Sequence, residues 1–422
     1  MPYFLSRLSG SALQSTFGSY LSATFTISNF GFLAHATITS RQSNFSRHIR
    51  RSLLVLTVLT FTLTVGTFIS VPAYPFFFFV LLNGILQAAA GAYLQSAVMA
   101  LASLFGPSAI QPVLSGQAAV GVLVSLIQAL STGAGIRTKV GAADINNEKD
   151  DSPAARAAFL FFGASTVFLV FSIASHAWLT TMPTYKAVVL PFEAMKGVIG
   201  GDEEREALVG HRRTADHLPK KDRITDIAKM NSEYNFAVAY VFAVTLSVFP
   251  PITASVRSVN PISSPFAHPL LFIAIHFLLF SIGDFTGRYL PTVRIFQFWS
   301  SRTHLYMSLS RTLFVPLFLL CNVQRPSSPL TPVPVTGGVV INSDIMFFLI
   351  MILFGMSNGY ISSLVMMAAP SPEHNPRLKH RPEDVDTAAT IAQFCLVGGL
   401  VVGSFTSFGV RGAICACNPF TT

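Results

Sequence analysis

Asp284 and Arg288 are the pair in this 422-residue chain whose types and spacing most invite a chemical role. Four residues apart on a helix, they share one face a single turn apart. The carboxylate accepts from hydroxyls and the guanidinium donates a planar fork, so together they can clamp a polar ligand. The other reading open to them is an ion pair that holds two helices together. Seven neutral amides, Asn83, Gln87, Gln95, Gln111, Gln117, Asn358 and Gln393, sit in apolar surroundings, where an unpaired amide costs free energy. Bonding one another across helices is their default role. Gln95 is the best ligand candidate among them, because its amide offers both a donor and an acceptor to the edge of a heterocycle.

Other chemistries lack their parts. His35, His176 and His276 are isolated, and Cys321, Cys395, Cys415 and Cys417 show neither a CxxC pair nor a zinc spacing, so no metal site, cofactor or disulfide framework is implied. There is no Walker loop and no nucleophile elbow, and Gly-Asp-Phe at 283–285 stands without the other parts of a kinase. The residues point to binding rather than catalysis. Gly355-x3-Gly359 and Gly399-x3-Gly403 have the small-residue spacing of close helix contacts and need no ligand.

The elements that must position these groups follow from composition. Hydrophobic residues make up 51% of the chain and charged ones 11%, against roughly 25% charged in an average soluble domain. Mean hydropathy is +0.55, and Phe alone supplies 38 residues. The net charge of +9 would suit a nucleic-acid partner, but the charges sit in loops between apolar runs, so none is expected. Residues 8–40, 52–136, 157–185, 234–256, 258–283, 345–372 and 387–410 contain no Asp, Glu, Lys or Arg. A spanning helix needs about 20 mostly apolar residues, so each run holds at least one. The run 52–136 holds three, punctuated by Pro72 with Pro75 and by Pro107 with Pro112.

The expected spans are 14–40, 52–72, 76–106, 112–133, 157–180, 233–256, 266–290, 303–323, 344–368 and 387–411. This is an all-α polytopic membrane protein of about ten transmembrane helices. Barrel strands alternate in segments of about ten residues, which these runs do not. The span 303–323 is the weakest because Arg311 lies inside it. Counting basic residues in alternate loops puts 18 of 28 on the side of 40–51, 181–232, 291–302 and 369–386, which is therefore the expected cytoplasmic side. Both termini then fall on the opposite side, although Met1–Leu13 is no signal peptide. One further helix upstream would repair this. A competing reading, a transport-inactive truncated membrane protein lacking one wall of its cavity, rests on the same point.

The mixed-charge loop 181–232 reads as a linker, partly helical at most. It separates an N-terminal bundle, 1–180, from a C-terminal bundle, 233–422, with five spans on each side. Two bundles around a midplane site suit a transporter.

Several motifs, in order along the chain, resemble the equilibrative nucleoside transporter family. They are Leu94-Gln95 with Ser103-Leu104-Phe105-Gly106, Ser115-Gly116-Gln117 opening a helix, and Asp284-Phe-Thr-Gly-Arg288. Arg311 with the run Phe314 to Asn322, and Ser357-Asn358-Gly359-Tyr360 followed by Pro370, complete the set. The Phe-rich, Ser/Thr-rich character is most similar to the fungal branch, whose members include a vacuolar transporter. The resemblance implies a major-facilitator-like fold of eleven helices, the first of which would be missing here. It implies transport of purine and pyrimidine nucleosides, with nucleobases as a further class, by alternating access in the vacuolar or plasma membrane. By position, Asp284 and Arg288 resemble the ribose contacts and Gln95 the base contact, while Ser281 stands where many relatives have Asn. Arg50 or Arg51 with Asp386 resemble a cytoplasmic-side gating pair. Proton coupling would require Asp284 to titrate; the adjacent Arg288 favours its charged form, so the expectation leans to facilitative transport.

Overall fold

The computed structural model describes residues 2–8, 11, 13–14, 17–39, 44–69, 71–141, 152–195, 220–260, 268–323 and 340–415. Cys417, Arg41, Arg325 and the charged centre of the 181–232 loop lie outside them. In chain order the helices are α1 (Pro2–Arg7), α2 (Phe17–Thr39), α3 (Phe45–Gly66), α4 (Ala73–Leu104), α5 (Pro107–Gly141) and α6 (Ser152–Thr181). A helix over 183–195 is α7. There follow α8 (Lys220–Met230), α9 (Ser232–Val248), α10 (Pro269–Tyr289), α11 (Ser301–Ser310), α12 (Phe314–Leu319), α13 (Asp344–Ala368) and α14 (Val385–Cys415). Among the described residues eight helices, α3 to α6, α9, α10, α13 and α14, are long and apolar enough to cross a membrane. The protein is an integral, all-helical membrane protein.

The expected spans and the helices differ at three informative places. Helix α3 begins at Phe45, ahead of the expected residue 52, because Arg47, Arg50 and Arg51 continue the helix beyond its apolar stretch. Absence of charge marks the part of a helix that suits lipid; helical backbone is not bound to stop there. Helix α5 starts on Pro107 and carries Pro112 inside it. Proline at the first helical position sacrifices no intrahelical bond, whereas Pro112 has no N–H to offer the Ser108 carbonyl. The stretch expected at 303–323 is helical but broken: α11 runs into a tight turn over Arg311–Leu313 before α12 resumes. Pro316, with no N–H for the Thr312 carbonyl, accounts for the tightened turn.

The helices form two compact units. In the first, α2 lies along α4, and α3 packs on both α4 and α6. The second gathers α5, α9 to α13 and α14 beyond Thr390, with α10 against α5 and α13. The contact between α10 and α13 is built from glycine on both sides. A Cβ added at Gly283 or Gly287 would collide with the backbone at Ile352 or Met356, and one at Gly355 or Gly359 with the backbone of Phe280 or Asp284. Gly399 and Gly403 of α14 meet Ala239 and Ala243 of α9 in the same manner. The spacings at 355/359 and 399/403 therefore do what small residues do between membrane helices. The matching pair Gly283-x3-Gly287 was hidden because one of its glycines lies inside the Asp284–Arg288 motif.

Candidate polar site in the second unit

The close crossing of α10 and α13 sets Asp284 between the glycines that permit it, and the surrounding polar groups are nearly all committed to it. Asp284 and Arg288 are each 8% exposed, and Arg288 Nε donates to Asp284 Oδ2 at 3.0 Å. Arg288 Nη1 donates to the Leu114 carbonyl of α5 at 2.9 Å, which fixes the guanidinium across two helices. On the other side Asn358 Nδ2 of α13 donates to Asp284 Oδ1 at 2.6 Å. Thr245 of α9 donates to Asn358 Oδ1 at 2.8 Å and accepts from Arg311 Nη2 at 2.8 Å.

Arg311 is the fully buried end of this chain of bonds. It is 1% exposed, donates to the Phe354 carbonyl at 3.0 Å and to the Ser357 hydroxyl, and lies 4.5 Å from the centre of the Phe354 ring. Two guanidiniums and one carboxylate thus share one connected network, which carries a net positive charge. Buried charges persist in apolar surroundings when paired and hydrogen-bonded. The network is not saturated where it meets Arg288: Nη2 makes no bond among the described residues, and the Asp284 carboxylate retains acceptor capacity beyond its two partners. A donor next to an acceptor complements a vicinal diol.

The other predicted residues take separate places. Ser281, one turn before Asp284, faces Ser125 of α5 at 3.0 Å and donates to the Phe277 carbonyl of its own helix at 3.0 Å. Gln95 is half-buried on α4 in the first unit and makes no side-chain hydrogen bond among the described residues. Arg50 and Arg51 are exposed on α3, whereas Asp386 at the start of α14 is fully buried and accepts from Thr387. The interhelical role expected of the amides holds for Asn83, which donates to the Leu59 carbonyl at 3.1 Å and the Thr62 hydroxyl at 3.2 Å. Gln87 in turn donates to Asn83 Oδ1 at 2.7 Å. Gln111 bridges Ser115 and the Arg288 carbonyl at 2.9 and 3.2 Å. Gln393, 1% exposed, leaves both amide atoms unpartnered among the described residues. Asp344, the first residue of α13, is explained locally: it accepts from Ser258, the Val259 N–H and Asn260, while Ser343 caps the helix by accepting from the Met346 N–H.

Asp284 and Arg288 stand out from their types and spacing alone, whereas the roles of Asn358, Thr245 and Arg311 do not. Asn358 carried a usable signal, an amide between two glycines in a charge-free run. Thr245, one hydroxyl among many, carried none. Nothing in the network pairs a nucleophile with a base, so the arrangement binds and orients.

Residues 82–412 match the family model described as Nucleoside transporter. Equilibrative nucleoside transporter 1 of Homo sapiens is 28% identical over 377 residues, covering 86% of this chain and 75% of the relative. Nucleoside transporter FUN26 of Saccharomyces cerevisiae is 27% identical over 407 residues, 88% of this chain and 72% of the relative. Among solved structures, the Major Facilitator Superfamily transporter FucP in its outward conformation gives a TM-score of 0.47 at 13% identity, over 99% of this chain and 88% of that one. With a family match spanning most of its length and a membrane-embedded polar network suited to binding rather than catalysis, this chain belongs to the nucleoside transporter family.

Proposed function

We propose that the chain carries nucleosides by alternating access, facilitatively, with Asp284 and Arg288 as the ribose clamp. The observation that supports this most directly is the unsaturated end of the buried network, where the Arg288 Nη2 and the spare acceptor capacity of Asp284 lie side by side. A ribose 2′,3′-diol presents the complementary donors and acceptors. Gln95, carried over from the resemblance, is the base contact. Ser281, one turn from Asp284, tunes selectivity. Arg50 or Arg51 and Asp386 form the gate on the cytoplasmic side.

The direct pairing of Asp284 with Arg288 supports reading the transport as facilitative, with no proton carried alongside the substrate. The membrane is vacuolar or plasma, and co-localisation of a fluorescently tagged chain with markers of each decides between them. The decisive test of the site is uptake of radiolabelled uridine in transporter-deficient cells. Asp284→Ala is expected to lose saturable uptake while inserting normally, and wild-type uptake by that variant would refute the assignment.

A further inference from the structure

A second polar cleft lies entirely within the second unit, beside the network but not lined by Asp284 or the Arg288 side chain. It has a volume of about 430 Å³ and is lined by Ser108, Gln111, Gln297, Trp299, Glu373 and His374, among others. Small-ligand sites occupy roughly 300–1,000 Å³. Its wall is a prearranged aromatic stack: Trp299 and His374 lie parallel within 6°, with ring centres 3.7 Å apart. Both are held by their backbones, since the Trp299 carbonyl accepts from Tyr234 at 3.1 Å and the His374 N–H donates to Ser371 at 3.3 Å.

The amides around the stack are oriented too. Gln111 directs Nε2 at Ser115 and the Arg288 carbonyl, so the amide oxygen is what it has left to offer as an acceptor. Gln297 is anchored by donation to the Pro291 carbonyl at 2.8 Å. An aromatic face, fixed amides and a hydroxyl suit a planar heterocycle carrying N–H donors. Base-on-aromatic stacking tolerates different bases because each has a π-face. The charge is equally informative. Among the described residues no Lys or Arg lines the cleft, while Glu373 does, with His374 Nε2 3.9 Å from its carboxylate, so a phosphate group there would face a carboxylate and no permanent cation.

We propose that this cleft is a second nucleoside-binding station that accepts free nucleosides and rejects nucleotides. It rests on the nucleoside reading above. Trp299 and His374 fall in the segments 291–302 and 369–386, which the distribution of basic residues assigns to the cytoplasm. The station therefore faces a compartment in which discrimination against phosphorylated relatives is useful, and Gln111 links it to Arg288.

The chain's two tryptophans supply the test. Trp178 lies on α6 at 66% exposure, so Trp178→Phe in the full-length purified protein leaves Trp299 as the sole tryptophan reporter. Uridine and adenosine are expected to quench its fluorescence saturably, with adenosine monophosphate weaker by roughly tenfold or more. Adding Asp284→Ala should leave the quench in place, and Glu373→Gln should let the monophosphate quench as well. Absence of a saturable quench, its loss with Asp284→Ala, or equal quenching by the monophosphate in the parent would overturn the proposal. So would continued exclusion of the monophosphate by Glu373→Gln. Failure of the ribose clamp reads out separately, as normal uridine uptake by Asp284→Ala.

Discussion

The two units solve the same problem, joining apolar helices in lipid, with different materials. In the first, the contacts among α3, α4 and α6 are made by neutral groups: Asn83, Gln87 and Thr62 bond across α3 and α4, and Thr64 meets Thr166 between α3 and α6, while charged contacts such as Arg7 with the Ile69 carbonyl and Arg223 with Asp384 lie away from these helix crossings. A Cβ at Gly18, Gly31 or Gly91 there would meet nothing within 4 Å, and one at Gly84 would meet a side chain, Leu21 at 3.2 Å, rather than a neighbouring backbone. In the second, α10 and α13 touch backbone to backbone at four glycines and enclose Asp284, Arg288 and Arg311 in one network. Neutral amides already hold membrane helices together. Three charges at membrane depth are more than packing requires, and such groups mark functional sites by default. The tight glycine crossing is the means by which short polar side chains on two helices meet at hydrogen-bond distance.

The contrast is broken most severely at its glycines. Gly287→Leu would drive side-chain atoms into the Met356 backbone and should cost at least about 3 kcal/mol, seen as a large fall in thermal stability in detergent. Gly91→Ala in the first unit should change stability by no more than about 1 kcal/mol, toward greater stability. Equal effects at the two positions would show that the tight crossing is not a distinguishing feature.

Next in size is Arg311→Met, which keeps a long side chain but removes the donor to Thr245. Replacing a buried charge with an apolar side chain of similar size is often tolerated by the fold. Asn358 and Asp284 would lose their orientation, so uridine uptake should fall roughly tenfold, the worth of about one charge-assisted hydrogen bond. Unaltered uptake alongside lost stability would make Arg311 a structural residue only. The smallest effect is expected from Asn83→Leu: a loss of about 0.6 kcal/mol, the average for a hydrogen bond between membrane helices, with uptake unchanged. A large transport defect there would erase the functional distinction between the units.

Much of this was legible in one dimension. Spanning helices were visible because lipid tolerates no unpaired backbone polar group, and about 20 apolar residues must therefore run together. Helix α13 spans Asp344–Ala368, as its charge-free run predicts. The i, i+4 spacing of Asp284 and Arg288 predicts their pairing, because helix geometry alone brings such residues together. The break at Arg311 was less legible, since the run continues as apolar to Val323 and Pro316 acts only through the carbonyl four residues earlier.

The sequence by itself determined the helices, their suitability for a bilayer and the one-turn ion pair, all of which depend on residues close together along the chain. Only the tertiary structure decided that α5 joins the helices that follow the polar loop, and that Asn358 closes on Asp284 from 74 residues away. It likewise brought Trp299 flat against His374. The meeting of Asn358 with Asp284 depends on which faces of α10 and α13 abut, and that is settled by backbone approach at glycines on both helices, a property of two helices together that neither sequence segment specifies alone.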